Sequence, residues 1–157
     1  RWPATIKPGT TADAMALNVD FAPTFLDAAH ASIPGEMQGR SLLPIFRGRT
    51  PQDWRGSMYY RYYHDPGDHN TRAHYGVRTR THKLIYFWKK DQWELFDLVN
   101  DPQEMHNLYG APGQETITAS LKAELSKLKK AMKDDDQFAN DQLPNGVDGP
   151  AAKLRGK

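Results

Sequence analysis

The sequence predicts an α+β fold in which a small antiparallel β-sheet of about four strands is packed by a C-terminal amphipathic helix. Two features carry this prediction: strand-like segments separated by polar gaps between residues 57 and 98, and a helical apolar stripe between residues 115 and 133. A sheet followed by a helix with one apolar face is typical of a layered α+β arrangement. A helical segment near the start of the chain precedes the sheet.

The composition excludes several classes of protein. The chain has 157 residues, and 21 Lys and Arg residues against 19 Asp and Glu residues leave a net charge of only +2. So small a charge argues against a dedicated nucleic-acid binder, which carries a dense basic face. The absence of Cys excludes disulfides, Cys-based zinc sites and thiol nucleophiles. No apolar run approaches the roughly 20 residues that span a bilayer as a helix.

The N-terminal third contains two helical segments. Residues 18–30 predict a helix with Asp20 as its N-cap and with Pro23 in the first turn, where a missing N–H costs little. Residues 41–46 predict a short helical turn that ends at Gly48. The residues expected to share one apolar face of the first helix are Phe21, Phe25, Leu26 and Ala29.

Four strands are predicted in the middle of the chain. Residues 57–64 are dense in Tyr, which favours a strand, and a Pro-Gly loop follows them. Residues 73–79, 82–88 and 92–98 are three further strand candidates, and the short gaps between them indicate an antiparallel meander. The tryptophans expected to pack this sheet are Trp54, Trp88 and Trp93.

A single amphipathic helix is predicted over residues 115–133. Its apolar residues step by three or four positions, and Lys and Glu fill the opposite face. From residue 134 onward the chain is polar, rich in Gly, Pro and Asp, and without a period, which is typical of a tail. The apolar stripe consists of Ile117, Leu121, Leu125, Leu128 and Met132.

Several segments resemble the C-terminal end of type I sulfatases, which belong to the alkaline-phosphatase-like superfamily. Residues 20–26 are similar to the family's Asp-x-x-Pro-Thr-Leu-Leu helix, and residues 39–44 to its Gly-x-Ser-Leu-x-Pro segment. Residues 75–86 look like strands of its small C-terminal sheet. Residues 93–108 are similar to its Glu-Leu-Tyr-Asp-Leu, Asp-Pro-x-Glu and Asn-Leu series. The order and spacing of these segments over residues 1–109 carry the resemblance.

The resemblance implies a domain organisation. Residues 1–53 would be the end of the α/β catalytic domain, residues 54–133 the C-terminal subdomain, and residues 134–157 a polar tail. The chain opens on Arg1-Trp2-Pro3, which suggests a piece of something longer, so an N-terminal catalytic domain is expected as its partner. The family also implies a secreted or periplasmic location.

The resemblance also implies that the reactive groups lie elsewhere. Type I sulfatases oxidise the first residue of a Cys- or Ser-x-Pro-x-Arg motif to formylglycine, and this chain has no such motif. The calcium ligands of the family would lie upstream of Arg1. Cleavage of a sulfate ester needs an activated nucleophile and a cation for the sulfate oxygens. We therefore expect no cofactor in this chain and no hydrolysis by residues 1–157 alone.

The loop after the first strand is the candidate for substrate contact. The family often sends such a loop over the sulfate pocket, and here the loop combines aromatic faces with imidazoles and carboxylates. Its pattern is most similar to sulfatases that act on 6-sulfated N-acetylglucosamine and related glycans, so a sulfated carbohydrate is the expected ligand. Zinc binding is an alternative, although a spacing of five between His residues is unusual for zinc. The predicted sugar contacts are His69 and His74, followed by His64 and Arg72.

Two other functions stay open at this point. The chain is either a stand-alone module that binds sulfated glycans or a subdomain that only braces a catalytic domain. The sulfatase interpretation predicts an exposed apolar surface on residues 17–46, where a catalytic domain would dock. Burial of Phe21 and Phe25 within the chain itself would remove that argument.

Overall fold

A computed structural model describes residues 2–65, 67, 70–137 and 139 of the chain. The chain divides into two compact units, the first ending at Gly56 and the second beginning at Ser57. The first unit is helical and the second contains an antiparallel sheet and a long helix, so the α+β prediction is confirmed. Within the described residues, no helix combines the length and apolar character that crossing a membrane requires.

The first unit contains the two predicted helical segments. A single 3-10 turn at Asn18–Asp20 leads into α1, Phe21–Ala28, and α2 follows at Leu43–Phe46. Gly48 ends α2 in the left-handed region, with a φ of 77°, which glycine adopts without strain. Pro23 lies in the first turn of α1 as predicted, and it is buried.

Asp20 occupies the N-cap position of α1 that the sequence predicts, but its side chain has a different role. Its side chain makes no hydrogen bond to the first turn of α1. Instead the carboxylate accepts hydrogen bonds from the backbone N–H of Leu17 at 2.8 Å and of Arg40 at 2.9 Å. The two guanidinium nitrogens of Arg55 complete the set at 2.5 and 2.8 Å. A fully buried carboxylate thus joins three separate segments of the first unit.

Trp54 lies in the first unit and belongs to this same network. Its indole N–H donates to the carbonyl of Met15 at 2.9 Å. The guanidinium carbons of Arg40 and Arg55 lie 4.7 and 4.9 Å from the centroid of its ring. Arginine stacks well on aromatic faces, which explains why a tryptophan lies beside the buried ion pair.

The second unit contains the predicted four-stranded meander. Its strands are β1, Ser57–Tyr62, β2, His74–Thr79, β3, His82–Phe87, and β4, Gln92–Asp97. They pair in the order β1-β2-β3-β4, and each pair is antiparallel. Each strand lies within the segment that the sequence indicates and is one or two residues shorter.

One face of the sheet packs on α3, Glu115–Ala131. Residues of all four strands meet this helix because the register places Tyr59 opposite Val77, Val77 opposite Leu84, and Leu84 opposite Leu95. Burial of each aliphatic side chain stabilises the fold by about 1.5–3 kcal/mol. The predicted helix and its apolar stripe are confirmed. The core consists of Val77, Leu84, Leu95, Leu121 and Leu125, with Ile117 and Leu128 packed against it.

The outer edge of β4 is covered by the segment that resembles the family's Asn-Leu motif. The side-chain oxygen of Asn107 accepts a hydrogen bond from the Leu95 N–H at 2.9 Å, and the Leu108 N–H donates to the Leu95 carbonyl at 2.8 Å. The Asn107 amide also donates to the carbonyl of Trp93 at 3.3 Å. An edge strand with open backbone groups invites aggregation, so this segment protects the sheet.

Candidate functional site

A cluster of aromatic rings lies on the face of the sheet opposite α3. Neighbouring strand residues point to opposite faces, so Tyr60 and Tyr62 of β1 share this second face, whereas Tyr59 faces the helix. The register places His74 of β2 opposite Tyr62, and the same row continues to Phe87 of β3. The cluster therefore lies where β1 ends, β2 begins and β3 ends.

His74 occupies the centre of this cluster. The centroid of its ring lies 5.7 Å from those of Tyr62 and Tyr60 and 5.3 Å from that of Phe87. Its Nδ1 lies 2.7 Å from the carbonyl oxygen of Arg72. A carbonyl oxygen only accepts, so Nδ1 carries the proton and Nε2 of the neutral ring is a hydrogen-bond acceptor. The strand register and one backbone carbonyl thus fix both the position and the tautomer of His74.

Tyr60 brings a buried hydroxyl group to the same face. A Cβ atom on Gly76 would lie 2.8 Å from this hydroxyl oxygen and 2.5 Å from the carbonyl oxygen of Leu84, so only glycine admits the phenol here. The hydroxyl has no hydrogen-bond partner within the described part of the chain. Burial, together with the charges of Glu104 and Glu94, raises the pKa of Tyr60 above its ordinary value. The group is therefore a neutral O–H donor.

The described residues of the β1–β2 loop are held against this cluster. The imidazole of His64 lies 5.6 Å from the ring of Tyr62. A Cβ atom on Gly67 would lie only 1.7 Å from the Tyr62 hydroxyl oxygen, so the loop backbone passes directly over that ring. The Gly67 N–H donates to the Thr71 carbonyl at 2.7 Å, which closes the loop on itself.

Two cations lie at the rim of the loop. Arg72 Nη1 and Lys89 Nζ approach the two carboxylate oxygens of Asp65 at 3.4 and 3.6 Å. Both are long contacts, and Arg72 has five N–H donors in all. Among the described residues of the rim, two cations thus face one carboxylate.

The structure brings some of the predicted contact residues together. His64 and His74 flank the ring of Tyr62, and Arg72 provides the carbonyl that orients His74. His69 lies outside the described residues. The sequence did not single out Tyr60, Phe87 and Lys89, which join the cluster through strand register and through the β3–β4 turn.

The chemistry of the cluster suits a polar ligand with hydroxyl groups. Aromatic faces stack on the apolar faces of sugar rings, and an imidazole nitrogen accepts a hydrogen bond. Among the described residues, no group of three or more His, Cys, Asp or Glu side chains is arranged to hold a metal ion. Two members of the zinc interpretation, Asp68 and His69, lie outside the described residues.

Comparisons with known proteins agree on the class. An N-acetylglucosamine-6-O-sulfatase of Bacteroides thetaiotaomicron is 44% identical over 139 residues, which cover 87% of this chain and 25% of that protein. A ulvan-active sulfatase of Formosa agariphila is 28% identical over 162 residues, covering 85% of this chain and 32% of that protein. A protein solved in complex with its substrate D-glucosamine-2-N,6-O-disulfate superposes with a TM-score of 0.84 at 42% identity, covering 89% of this chain and 29% of that one.

The fold and these similarities define the class as the C-terminal part of sulfatases in the alkaline-phosphatase-like superfamily. The family model for the C-terminal region of N-sulphoglucosamine sulphohydrolase matches residues 1–131, and the chain belongs to that family. The resemblance seen in the sequence is thus confirmed. The chain spans about a quarter of the length of the first curated relative and about a third of the second.

Proposed function

We propose that this chain is the C-terminal part of an enzyme that hydrolyses sulfate esters of carbohydrates, with 6-sulfated N-acetylglucosamine or a related glycan as substrate. The observation that carries the proposal is the 44% identity to an N-acetylglucosamine-6-O-sulfatase over 87% of the chain. The imidazole and aromatic groups of the ring cluster and the cations at the loop rim are chemically suited to such a ligand. The chain contributes substrate contacts in this proposal, and the reacting groups come from another region of the enzyme.

The proposed organisation assigns residues 1–53 to the end of a catalytic domain, residues 54–133 to the C-terminal subdomain and residues 134–157 to a tail. The first unit exposes large apolar side chains, as the sulfatase interpretation requires: Phe21 is 51% and Phe25 is 70% exposed. Exposed apolar side chains close together on one helix are typical of a docking surface. We propose that the catalytic domain covers them, and that the enzyme acts in the periplasm or outside the cell.

Formylglycine and calcium are proposed for the whole enzyme and not for this chain. A calcium ion needs six to eight oxygen ligands, and the described residues offer no cluster of three or more candidate side chains. The residues present therefore do not fit the ion. In the family, formylglycine supplies the nucleophile and calcium binds the sulfate oxygens.

Within the ring cluster, His74 is proposed to accept a hydrogen bond from a sugar hydroxyl through Nε2. The rings of Tyr62 and Phe87 hold it in place, and Arg72 and His64 extend the contact surface towards the loop. His69 is proposed as a further sugar contact on the basis of its place in the loop sequence alone.

The test measures steady-state hydrolysis of 6-sulfated N-acetylglucosamine by the full-length enzyme and by its His74→Ala and His69→Ala variants. Loss of one hydrogen bond to the sugar costs about 1–2 kcal/mol, so we expect kcat/KM to fall roughly tenfold or more for each variant. His106→Ala is the matched control, because His106 is 81% exposed and distant in sequence from the loop.

Each alternative predicts a different result. Unchanged kinetics in both variants would indicate a subdomain that only braces the enzyme. Binding of the sulfated sugar by residues 1–157 alone, with an affinity equal to that of the full-length protein, would indicate a stand-alone module. No hydrolysis of any sulfated sugar by the full-length protein would overturn the proposed function.

A further inference from the structure

A buried arginine lies behind the ring cluster, on the α3 face of the same end of the sheet. The side chain of Arg61 is only 4% exposed. Its Nη1 donates to both carboxylate oxygens of Asp134 at 2.6 and 2.7 Å and to Asp136 at 2.6 Å. Asp134 also accepts a hydrogen bond from the Tyr59 hydroxyl, and Lys129 pairs with Asp136 at 2.6 Å.

The remaining donors of Arg61 face aromatic rings. Its Nε and Nη2 are buried and have no hydrogen-bond partner within the described part of the chain. The guanidinium carbon lies 4.4 Å from the ring centroid of Trp88, 4.8 Å from that of Tyr63 and 5.2 Å from that of Tyr75. Aromatic faces stabilise a cation that has lost its water, so the three rings partly compensate for the missing partners.

These three rings are the sequence neighbours of the ring cluster on the opposite face. Tyr63 lies between Tyr62 and His64. Tyr75 directly follows His74, and Trp88 directly follows Phe87. Neighbouring residues in extended chain point to opposite sides, so a contact that fixes one ring also fixes the backbone that carries the other. One guanidinium therefore contacts, from the α3 face, each of the three chain segments that carry the ring cluster on the opposite face.

We propose that Arg61, anchored by Asp134 and Asp136, is a positioning residue that holds the sugar-contact cluster in its binding geometry from the opposite face of the sheet. This inference rests on the function proposed above. Arg61 contacts no substrate in this arrangement. It connects the segment after α3 to the start of the β1–β2 loop, so changes at either carboxylate reach the loop through the guanidinium.

The first measurement is steady-state kinetics of full-length Arg61→Lys. Lysine keeps the charge but loses the planar group that stacks on three rings. We expect KM for 6-sulfated N-acetylglucosamine to rise roughly tenfold, because small misplacements of binding groups weaken binding strongly. Hydrolysis of 4-nitrophenyl sulfate, which has no sugar, should stay near the unmodified level. Arg78→Lys is the matched control, since Arg78 lies on the neighbouring strand but is 49% exposed.

The second measurement is hydrogen–deuterium exchange of the same proteins, which does not depend on activity. Arg61→Lys should speed exchange in peptides that contain Tyr63, His64 and Asp65 while peptides of α3 keep their protection. If Arg61→Lys does not fold, Asp136→Asn takes its place, because it removes only one partner and Asp136 is 49% exposed. Unchanged hydrogen exchange near Tyr63 overturns the inference. So does an equal loss of activity on 6-sulfated N-acetylglucosamine and on 4-nitrophenyl sulfate. Failure of the unmodified enzyme to hydrolyse sulfated sugars overturns only the proposed function and leaves the exchange result decisive.

Discussion

Among the described residues, each unit has a buried ion pair, and the two pairs are built in opposite ways. In the first unit the carboxylate of Asp20 is fully buried, and both of its oxygens accept hydrogen bonds from backbone N–H groups and a guanidinium. In the second unit the guanidinium of Arg61 is the buried partner, and two of its nitrogens have no hydrogen-bond partner within the described part of the chain.

This difference gives the two networks different roles. The Asp20 network stabilises the fold of the first unit, and the Arg61 network positions the ring cluster. Asp20 binds backbone groups directly, so its loss releases the chain segments at Leu17 and Arg40. Arg61 binds other side chains, so its loss shifts rings and leaves the strand ladder intact. A buried charge that loses its partner is strongly destabilising, whereas part of a network of side chains can adjust. The two networks should therefore respond unequally to equivalent substitutions.

Asp20→Asn should have the largest effect. The amide would remove the negative charge opposite Arg55 and would place an NH₂ group against at least one donor. We expect the free energy of unfolding of the first unit to fall by about 3–5 kcal/mol, which is the cost of breaking a buried pair. Urea denaturation combined with hydrogen exchange of peptides from residues 15–42 measures this loss.

The control for Asp20 is Asp53→Asn. Asp53 pairs with Arg40, but its side chain is 78% exposed, and such surface pairs contribute about 0–1 kcal/mol. Equal losses from Asp20→Asn and Asp53→Asn would contradict the structural role that we assign to Asp20.

Asp134→Asn should have a smaller effect in the second unit. Arg61 would keep Asp136 and its three rings, and the amide oxygen of Asn could still accept from Tyr59. We expect a loss of about 1–3 kcal/mol, measured by thermal or urea denaturation. Asp135→Asn is the neighbouring control, because Asp135 is exposed and should change stability by less than about 0.5 kcal/mol. A loss at Asp134 as large as that at Asp20 would remove the distinction between the two networks.

Acid should weaken both networks. Burial alone would raise the pKa of Asp20, Asp134 and Asp136, but hydrogen bonds from arginine and other donors lower each pKa below its usual range. A lowered pKa in the folded state gives stability that is present above the unfolded value, about 3.9, and is lost as pH falls through the folded value. Stability should therefore fall as the pH is lowered through and below the unfolded value of about 3.9.

The double variant Asp134→Asn/Asp136→Asn tests which groups cause the pH dependence of stability in the second unit. Without the two carboxylates, the second unit should show a shallower increase of melting temperature over the same pH interval. The first unit, which keeps Asp20, should retain its own slope in exchange measurements. An unchanged slope in the second unit would mean that other groups determine its acid sensitivity.

Local patterns in the sequence were enough to predict the strands and α3. Alternation along the strands, Gly and Pro in the turns and the apolar stripe of α3 are all encoded within a few residues. Asp20 and Arg61 could not be predicted in this way. Asp20 lies before Pro23 as an N-cap would, but its partner Arg55 is 35 residues further along the chain. Arg61 looks like a surface residue of a strand, and Asp134 lies 73 residues away.

In the candidate site, too, the residue types could be predicted from the sequence but their arrangement could not. The types of residue were visible in the loop sequence, including His64, Arg72 and His74. Their arrangement depended on the pairing of β1 with β2, and a long loop does not fix that pairing as a two-residue turn fixes the pairing of β2 with β3. Phe87 joins the cluster through the pairing of β2 with β3, which brings its ring to His74.

Phe25→Ala should have the smallest effect on residues 1–157 and a larger one on the full-length enzyme. The side chain is 70% exposed in this chain, so its truncation should change the free energy of unfolding by less than about 0.5 kcal/mol. Phe96→Ala is the matched control, because Phe96 is 7% exposed and its truncation should cost about 3–5 kcal/mol. If a catalytic domain covers Phe25, the same substitution in the full-length protein should approach the cost at Phe96. A negligible effect in both contexts would mean that no domain docks on this face, and the exposed phenylalanines would then need another partner.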